Sequence, residues 1–308
     1  MRLLMWNVRD LGKATRRRQI REYIAQEHAD LVGIQETIKL DFSDALLQEL
    51  SGIYHFSWKW LPAVGKSGGI LVGVKVDTLE VEDWIIGEYT IQTVIRDRRT
   101  NFHGVVITVY GPAAQHEYSP FLLEELDSIC RTTSLPMVFG GDFNLIRDSA
   151  EKNTYNCSSV LMNLFNNFIG KHQLREIFRT GPKLTWSNKQ DIPVLVTLDR
   201  FLVSTCWEDR FPLCMAWSRP IVGSDHSPIL LDTGEQGPSR PRYFFFENKW
   251  LLDEEIQEKV HQKWVLSASK RPEHYYSLDA WHGALLTARQ FLKGWGTKKA
   301  GDYKRTKQ

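Results

Sequence analysis

The chain has 308 residues, 42% of them hydrophobic and 25% charged, and its charges nearly cancel at +2. This is the composition of a globular protein with enough apolar side chains for a sizeable core, and the net charge neither demands nor excludes nucleic acid. No stretch approaches the ~20 apolar residues of a membrane span, and the apolar run in MRLLMWNVRD is too short for a signal peptide, so an intracellular protein with no membrane partner is expected.

Arg2 to Trp6 reads as a short apolar strand that ends on Asn7. Ala14 to Glu27 carries Ile20, Tyr23 and Ile24 at helical spacing, and Arg16, Arg17 and Arg18 at its head read as a solvated face. Asp30 to Gln35 is a second buried strand, followed at once by Glu36. From Tyr54 to Tyr110, β-branched and apolar runs at Ile70 to Val76, Val81 to Ile86, Thr90 to Ile95 and Phe102 to Val109 alternate with turn clusters, which predicts antiparallel sheet. Within it, GKSGG (65 to 69) lacks the Walker spacing and reads as a hairpin. The last of these strands stops at Pro112 and leaves Tyr110 at its mouth. Pro120 to Arg131 then has a helical apolar stripe.

In Pro136 to Asn144, PMVFGGDFN, an apolar strand breaks at two glycines and delivers Asp142 and Asn144. If the chain stays extended, these two point to one side and reach a common substrate. The carboxylate can orient and deprotonate water while the amide holds water or a phosphate oxygen. The same letters also spell an ordinary turn. Ser159 to Ile169 follows as a helix whose Leu161, Leu164, Phe165 and Phe168 form a core stripe.

Two further strand-like pieces span Leu184 to Asn188 and Val194 to Val203, and Asp199 interrupts the second. A carboxylate inside an apolar strand needs a partner, because burying it unpaired is costly. Asp225 and His226, just before the strand Ile229 to Leu231, supply an acid and an imidazole. From Gly234 a Gly, Pro and Arg linker marks a boundary. Trp250 to Trp264 and Leu278 to Trp295 read as helices, and KKAGDYKRTKQ as a basic tail.

Taken together, Asn7, Glu36, Tyr110, Asp142, Asn144, Asp199, Asp225 and His226 each end or interrupt an apolar strand. The set offers carboxylates for a hard divalent cation, a water activator, two amides, and an imidazole with an acid to orient it. There is no nucleophile elbow, no cysteine beside a histidine and no zinc spacing, so Cys130, Cys157, Cys206 and Cys214 are expected as free thiols in a reducing compartment. The inventory fits metal-assisted attack of water on a phosphate ester.

In this order, WNV, IQET, VYGP, GGDFN, LDRF and SDHSP resemble the endonuclease/exonuclease/phosphatase superfamily over residues 1 to 233. The later FFFENKWL and QFLKGWG segments make the whole resemble the endonuclease region of plant LINE-type (non-LTR) retrotransposon polyproteins. The resemblance implies an α/β (α+β) four-layer sandwich of two mixed β-sheets flanked by helices, with the site where strand ends meet. Residues 1–233 would be the catalytic domain, and 234–308 a linker, helical extension and basic tail.

The same resemblance implies Glu36 as the principal ligand of Mg²⁺, which Mn²⁺ could replace, with Asn7 and Asp225 near the metal. Asp142 would orient or deprotonate water, Asn144 and Tyr110 would hold the phosphate, His226 would stabilise developing charge, and Asp199 would fix the imidazole tautomer. Implied partners are double-stranded DNA, a reverse transcriptase domain that these 308 residues do not contain, and element RNA, with nuclear localisation. Arg9 stands where the abasic-site repair branch carries an acid, and Ala113 where it carries an Asn. The expected function is a DNA endonuclease that nicks target DNA to leave a 3′-hydroxyl primer. The alternatives are a phosphatase or phosphodiesterase acting on inositol phosphates or lipids, and an inactive retroelement remnant serving as a binding module.

Overall fold

A computed structural model of the chain describes residues 1–64, 67–113, 116–221, 223–234, 250, 253–269, 281, 284–285, 287–292 and 294–295. Contacts divide the chain into two compact units, Met1–Glu235 and Gln236–Gln308. The first unit begins with β1 (Arg2–Asn7), α1 (Ala14–Glu27), β2 (Leu31–Gln35) and α2 (Asp44–Ser51). A run of strands follows: β3 (Phe56–Val64), β4 (Ser67–Lys75), β5 (Leu79–Ile86), β6 (Thr90–Asp97) and β7 (His103–Tyr110). Next come α3 (Ser119–Thr132), β8 (Met137–Asp142), α4 (Ser159–Lys171) and the two-residue strands β9 (Arg175–Glu176), β10 (Arg179–Thr180), β11 (Trp186–Ser187) and β12 (Leu195–Val196). The unit closes with β13 (Asp199–Val203), α5 (Thr205–Arg210), β14 (Met215–Ser218) and β15 (Ile229–Asp232).

These strands make two large mixed sheets, seven strands in the order β10-β14-β15-β1-β2-β4-β3 and six in the order β5-β6-β7-β8-β13-β9, with a small β11-β12 pair beside them. The sheets bury one face against each other, since Leu3, Met5 and Val72 of the first share a core with Ile95, Val106 and Phe201 of the second. Outside the first sheet, α1 and α2 contribute Ile20, Ile24 and Leu50 to a second core. Outside the other sheet, α3 and α4 contribute Leu122, Leu126, Phe165 and Phe168 to a third. The result is the expected α/β four-layer sandwich. β1 and β2 are parallel and apolar at nearly every position because helices or sheet cover both their faces.

Several sequence expectations change in the structure. The run Val194 to Val203 is not one strand: Leu195–Val196 pairs with β11, while Asp199–Val203 pairs with β8. The break is fixed by Thr185, whose Oγ1 accepts from the N–H groups of Leu198 and Asp199 at 3.0 and 3.1 Å. Asp199 therefore opens β13 rather than interrupting a strand. Arg16 is not part of a solvated face but buried, donating from Nη2 to the Gly223 carbonyl at 2.7 Å, with its guanidinium 5.7 Å from the Trp6 ring. Only Arg18 of the three arginines stands well exposed.

In the second unit, α6 (Glu254–Ser269) carries Ile256, which packs with Trp250 and Leu292 in a small apolar cluster. The linker beyond Gly234, most of FFFENKWL and the basic tail lie outside the described residues, as do Gly65 and Lys66 of GKSGG. Among the described residues no helix is long and apolar enough to cross a membrane. All four cysteines are free.

Candidate active site

The two sheets deliver their polar strand ends to the same edge of the sandwich. In the six-stranded sheet, Tyr110 is the parallel partner of Asp142, and Asp142 is the antiparallel partner of Asp199. In the seven-stranded sheet, Asn7 pairs with Gln35, placing Glu36 beside it, and the chain leading into β15 brings Asp225 and His226 alongside the end of β1. Gly140 and Gly141 are what let β8 reach this point. A Cβ on Gly140 would meet the Phe201 ring at 2.6 Å, and Gly141, at φ +134, lies so close to β7 that a Cβ would meet the Val109 carbonyl at 2.3 Å.

Asp142 is fully buried and surrounded by donors. Its Oδ2 accepts from Asn7 Nδ2 at 2.9 Å and Asn144 Nδ2 at 3.2 Å, and its Oδ1 accepts from the Asn144 backbone N–H at 2.9 Å. His226 lies between two acids, with Nδ1 3.0 Å from Asp199 Oδ2 and Nε2 3.7 Å from Asp142 Oδ2. Asn7 Nδ2 also donates to Glu36 Oε2 at 3.1 Å, so one amide braces the two carboxylates. Asn7 Oδ1 accepts from the Arg9 backbone N–H at 3.0 Å. The hydroxyl of Tyr110 lies close enough to Glu36 and Asp142 to feel both charges.

The extended geometry expected between Asp142 and Asn144 does not occur. Asn144 has φ 51, and its Nδ2 also donates to the Gly111 carbonyl at 2.8 Å, so the segment is both a turn and part of the site. Glu36 and Arg9 likewise sit in the left-handed region, at φ 54 and φ 50. The turn after β1 is tied to the end of β2 by Asp10 N–H to the Glu36 carbonyl at 2.8 Å and Leu11 N–H to the Thr37 carbonyl at 3.2 Å. Such left-handed backbone at non-glycine residues is costly and persists where surrounding bonds over-determine it.

Burial raises the Asp142 carboxyl to about 7, against the opposing pull of His226 and Asn7. Burial alone would lower His226, but Asp199 and Asp142 outweigh it and hold the imidazole up to about 9. The Tyr110 hydroxyl is pushed well above its ordinary range by burial and by Glu36 and Asp142, so it stays neutral. Burial would raise Asp225 too, yet the charges of His226 and Arg9 hold it below the usual carboxylate range.

A cleft of about 580 Å³ opens over this edge. Asn7, Glu36, Asp142, Asn144, Asp225 and His226 line it, while Tyr110 and Asp199 stand behind Glu36 and His226 as buried supports. Leu145, Ile146, Leu161, Val194, Val196 and Leu198 also line the cleft, interspersed with polar Lys152, Asn156, Ser158 and Asn188. Glu36 is half-buried and presents carboxylate oxygen to the cleft, the hard donor that Mg²⁺ or Mn²⁺ requires. Asp142, Asp199 and His226 also place one ligand atom each within 4.8 Å of one another. Both ring nitrogens of His226 face these carboxylates, at 3.0 and 3.7 Å, the arrangement of an ion-pair cluster.

The profile of the Endonuclease/Exonuclease/phosphatase family matches residues 5–226. The chain belongs to this family. An exodeoxyribonuclease of Bacillus subtilis (strain 168) is 26% identical, the alignment covering 75% of this chain and 98% of that protein. The same fold occurs in an AP endonuclease from Archaeoglobus fulgidus, with a TM-score of 0.60 at 14% identity over 75% of this chain and 98% of that one. It also occurs in the endonuclease domain of TRAS1, a telomere-specific non-LTR retrotransposon, with a TM-score of 0.55 at 17% identity over 76% and 99%. Nuclease and phosphatase relatives of this family support hydrolase activity for the chain.

Sequence reasoning missed several residues that support this site. Trp186 Nε1 donates to Asp225 Oδ2 at 3.1 Å, and Ser224 Oγ ties to the Asn7 carbonyl at 2.8 Å, yet neither type signals such a role on its own. Arg200 is completely buried beneath the cleft. It donates to Glu151 Oε2 at 2.9 Å, Glu176 Oε2 at 3.1 Å and the Leu145 carbonyl at 3.1 Å, strapping the loop after Asn144 to β13. The signal that could have found it was an arginine inside the apolar LDRFLV run, which needs buried acids as surely as Asp199 needs an imidazole.

Proposed function

We propose that the first unit is a Mg²⁺-dependent DNA endonuclease of the LINE type, which nicks duplex DNA and leaves a 3′-hydroxyl. The observation that carries this reading is one cleft that joins a half-buried acid, Glu36, to a fully buried acid, Asp142, that also faces His226. A divalent cation held at Glu36 would polarise a phosphoryl oxygen and offset negative charge on the phosphate.

Asp142, poised near neutral pH, takes the proton from water as the water oxygen bonds to phosphorus. Asn7 and Asn144 fix the orientation of that carboxylate through their amide groups. His226, protonated and held by Asp199, donates toward the phosphoryl oxygen that gains charge. The P–O3′ bond breaks, the departing oxygen takes a proton from solvent, and the ends are 3′-hydroxyl and 5′-phosphate.

The choice of DNA is supported by the cleft's composition. Arg9, Lys152 and His226 are the basic side chains lining it among the described residues, too few for a polyphosphorylated inositol, while its mixture of apolar and amide side chains suits the sugar and base beside a phosphodiester. The exodeoxyribonuclease relative and the retrotransposon endonuclease domain point the same way. A reverse transcriptase and element RNA would be the partners of such a nuclease, acting in the nucleus.

The test is purified full chain with supercoiled plasmid or with inositol polyphosphate, each with Mg²⁺ or EDTA. Nicks that form only with Mg²⁺, that a DNA polymerase extends without phosphatase treatment and that ligase reseals are expected. Ends bearing 3′-phosphate, or release of phosphate from the inositol with plasmid untouched, would overturn the reading.

A further inference from the structure

Asp225 was expected near the metal, but its carboxylate is already engaged. Arg9 Nη1 forms an ion pair with Asp225 Oδ2, and Trp186 Nε1 donates to that same oxygen at 3.1 Å. The other oxygen, Oδ1, faces Ser224 Oγ at 3.3 Å. A cation could reach this carboxylate only by displacing the guanidinium, whose Arg9 backbone is itself locked in the left-handed region by its bond to Asn7 Oδ1.

Asp225 is only 4% exposed, whereas Arg9 is 60% exposed and lines the cleft, so one end of Arg9 is spent on a buried acid and the rest is open to the cleft.

We infer that Arg9 stands in for a second divalent cation, neutralising Asp225 from a fixed position so that the cleft takes one metal ion, at Glu36. A guanidinium is permanently charged, presents five N–H donors and matches both carboxylate and phosphate geometry. It thus supplies at Asp225 the positive charge that paired-metal phosphoryl-transfer sites take from their second ion. This inference rests on the metal-dependent reading above.

Mn²⁺ binding to the full chain, followed by titration calorimetry and by loss of the free-ion paramagnetic resonance signal, tests it without reference to turnover. Wild type and Arg9→Lys should each bind one Mn²⁺ per chain. Arg9→Ala should bind two, the second more weakly, and Arg9→Ala with Asp225→Asn should return to one. Thermal melting of each variant checks that the fold is kept, which the exposure of Arg9 favours. Two ions in wild type, or still one in a folded Arg9→Ala, would overturn the inference and leave the nuclease reading standing. No Mn²⁺ bound by any form would overturn both.

Discussion

Asn7 and Asp142 belong to different sheets, and the 2.9 Å bond from the Asn7 amide to the Asp142 carboxylate joins the two sheets chemically as well as by packing at the site. Because that donor favours the ionised carboxylate, Asn7 helps decide the pH at which Asp142 can accept a proton. Nicking should rise with pH as Asp142 deprotonates, with an acid limb at or below about 7, since a cation beside Glu36 also favours the ionised form. It should fall as pH passes about 9 and His226 loses its proton. In Asn7→Ala the acid limb should move upward and the plateau rate drop on the order of 10-fold or more. A pH–rate profile of plasmid nicking checks both, and an acid limb that stays put in the variant would mean that Asn7 does not tune Asp142.

Glu36 and Asp142 should separate metal binding from turnover. Glu36 is half-buried at the cleft wall, whereas Asp142 is fully buried among amide donors. Glu36→Gln is expected to weaken Mg²⁺ binding in titration calorimetry, and Asp142→Asn to keep binding while nicking falls on the order of 10² or more. Equal loss of binding in both variants would show that the two roles are misassigned.

Arg200 should be a stability determinant as well as a support for the site. Its guanidinium is fully buried and pairs with Glu151 and Glu176, the latter also held by Arg147 Nη1 at 2.8 Å. Arg200→Met removes the buried cation that Glu151 and Glu176 share, leaving Arg147 as the remaining partner of Glu176, and should cost about 3 kcal/mol or more. That corresponds to a fall in melting temperature of roughly 6–12 °C for a unit of this size. A fall below about 2 °C in a thermal melt would show that solvent or Arg147 compensates for the lost cation.

The boundary is open to a direct test, because β15 ends at Asp232 and Thr233 N–H still bonds the Met1 carbonyl at 3.1 Å. A chain ending at Gly234 keeps every strand of both sheets. It should show a cooperative melt and nick plasmid at a rate comparable to the full chain. Loss of fold by circular dichroism in the short chain alone would make the second unit part of the catalytic fold.

Much of the sandwich was legible because its inner strands are buried on both faces and so read as unbroken apolar runs, as in β1, β2 and β8. The long helices α1, α3 and α4 were legible for the parallel reason that each buries one stripe. Among the elements that escaped, α2, α5 and β14 are eight, six and four residues long, too short for a period to emerge from so few side chains, whereas the nine residues of β3 were passed over although they lie in the stretch read as sheet. Thr185 could not announce that it would end one strand and begin another with a single hydroxyl, since that depends on which segment lies against it.

By itself, the sequence determined that acids, amides and an imidazole would stand at strand ends, because an apolar strand stops where a polar group can no longer be buried without a partner. Only the tertiary structure decided the pairings. Asp142 and Asp199 face one another because β8 and β13 run antiparallel in one register, and His226 sits between them because β15 pairs with β1 in the opposite sheet. The left-handed backbone at Arg9, Glu36 and Asn144 was equally beyond the sequence, since none of these is glycine and the bonds that sustain it combine local ones, from Asn7 and Asp142, with ones between segments, at the Glu36 and Gly111 carbonyls. Whether Arg9 would point to solvent or take a buried acid was settled by distance in space: 216 residues separate it from Asp225, and the fold alone brings them together.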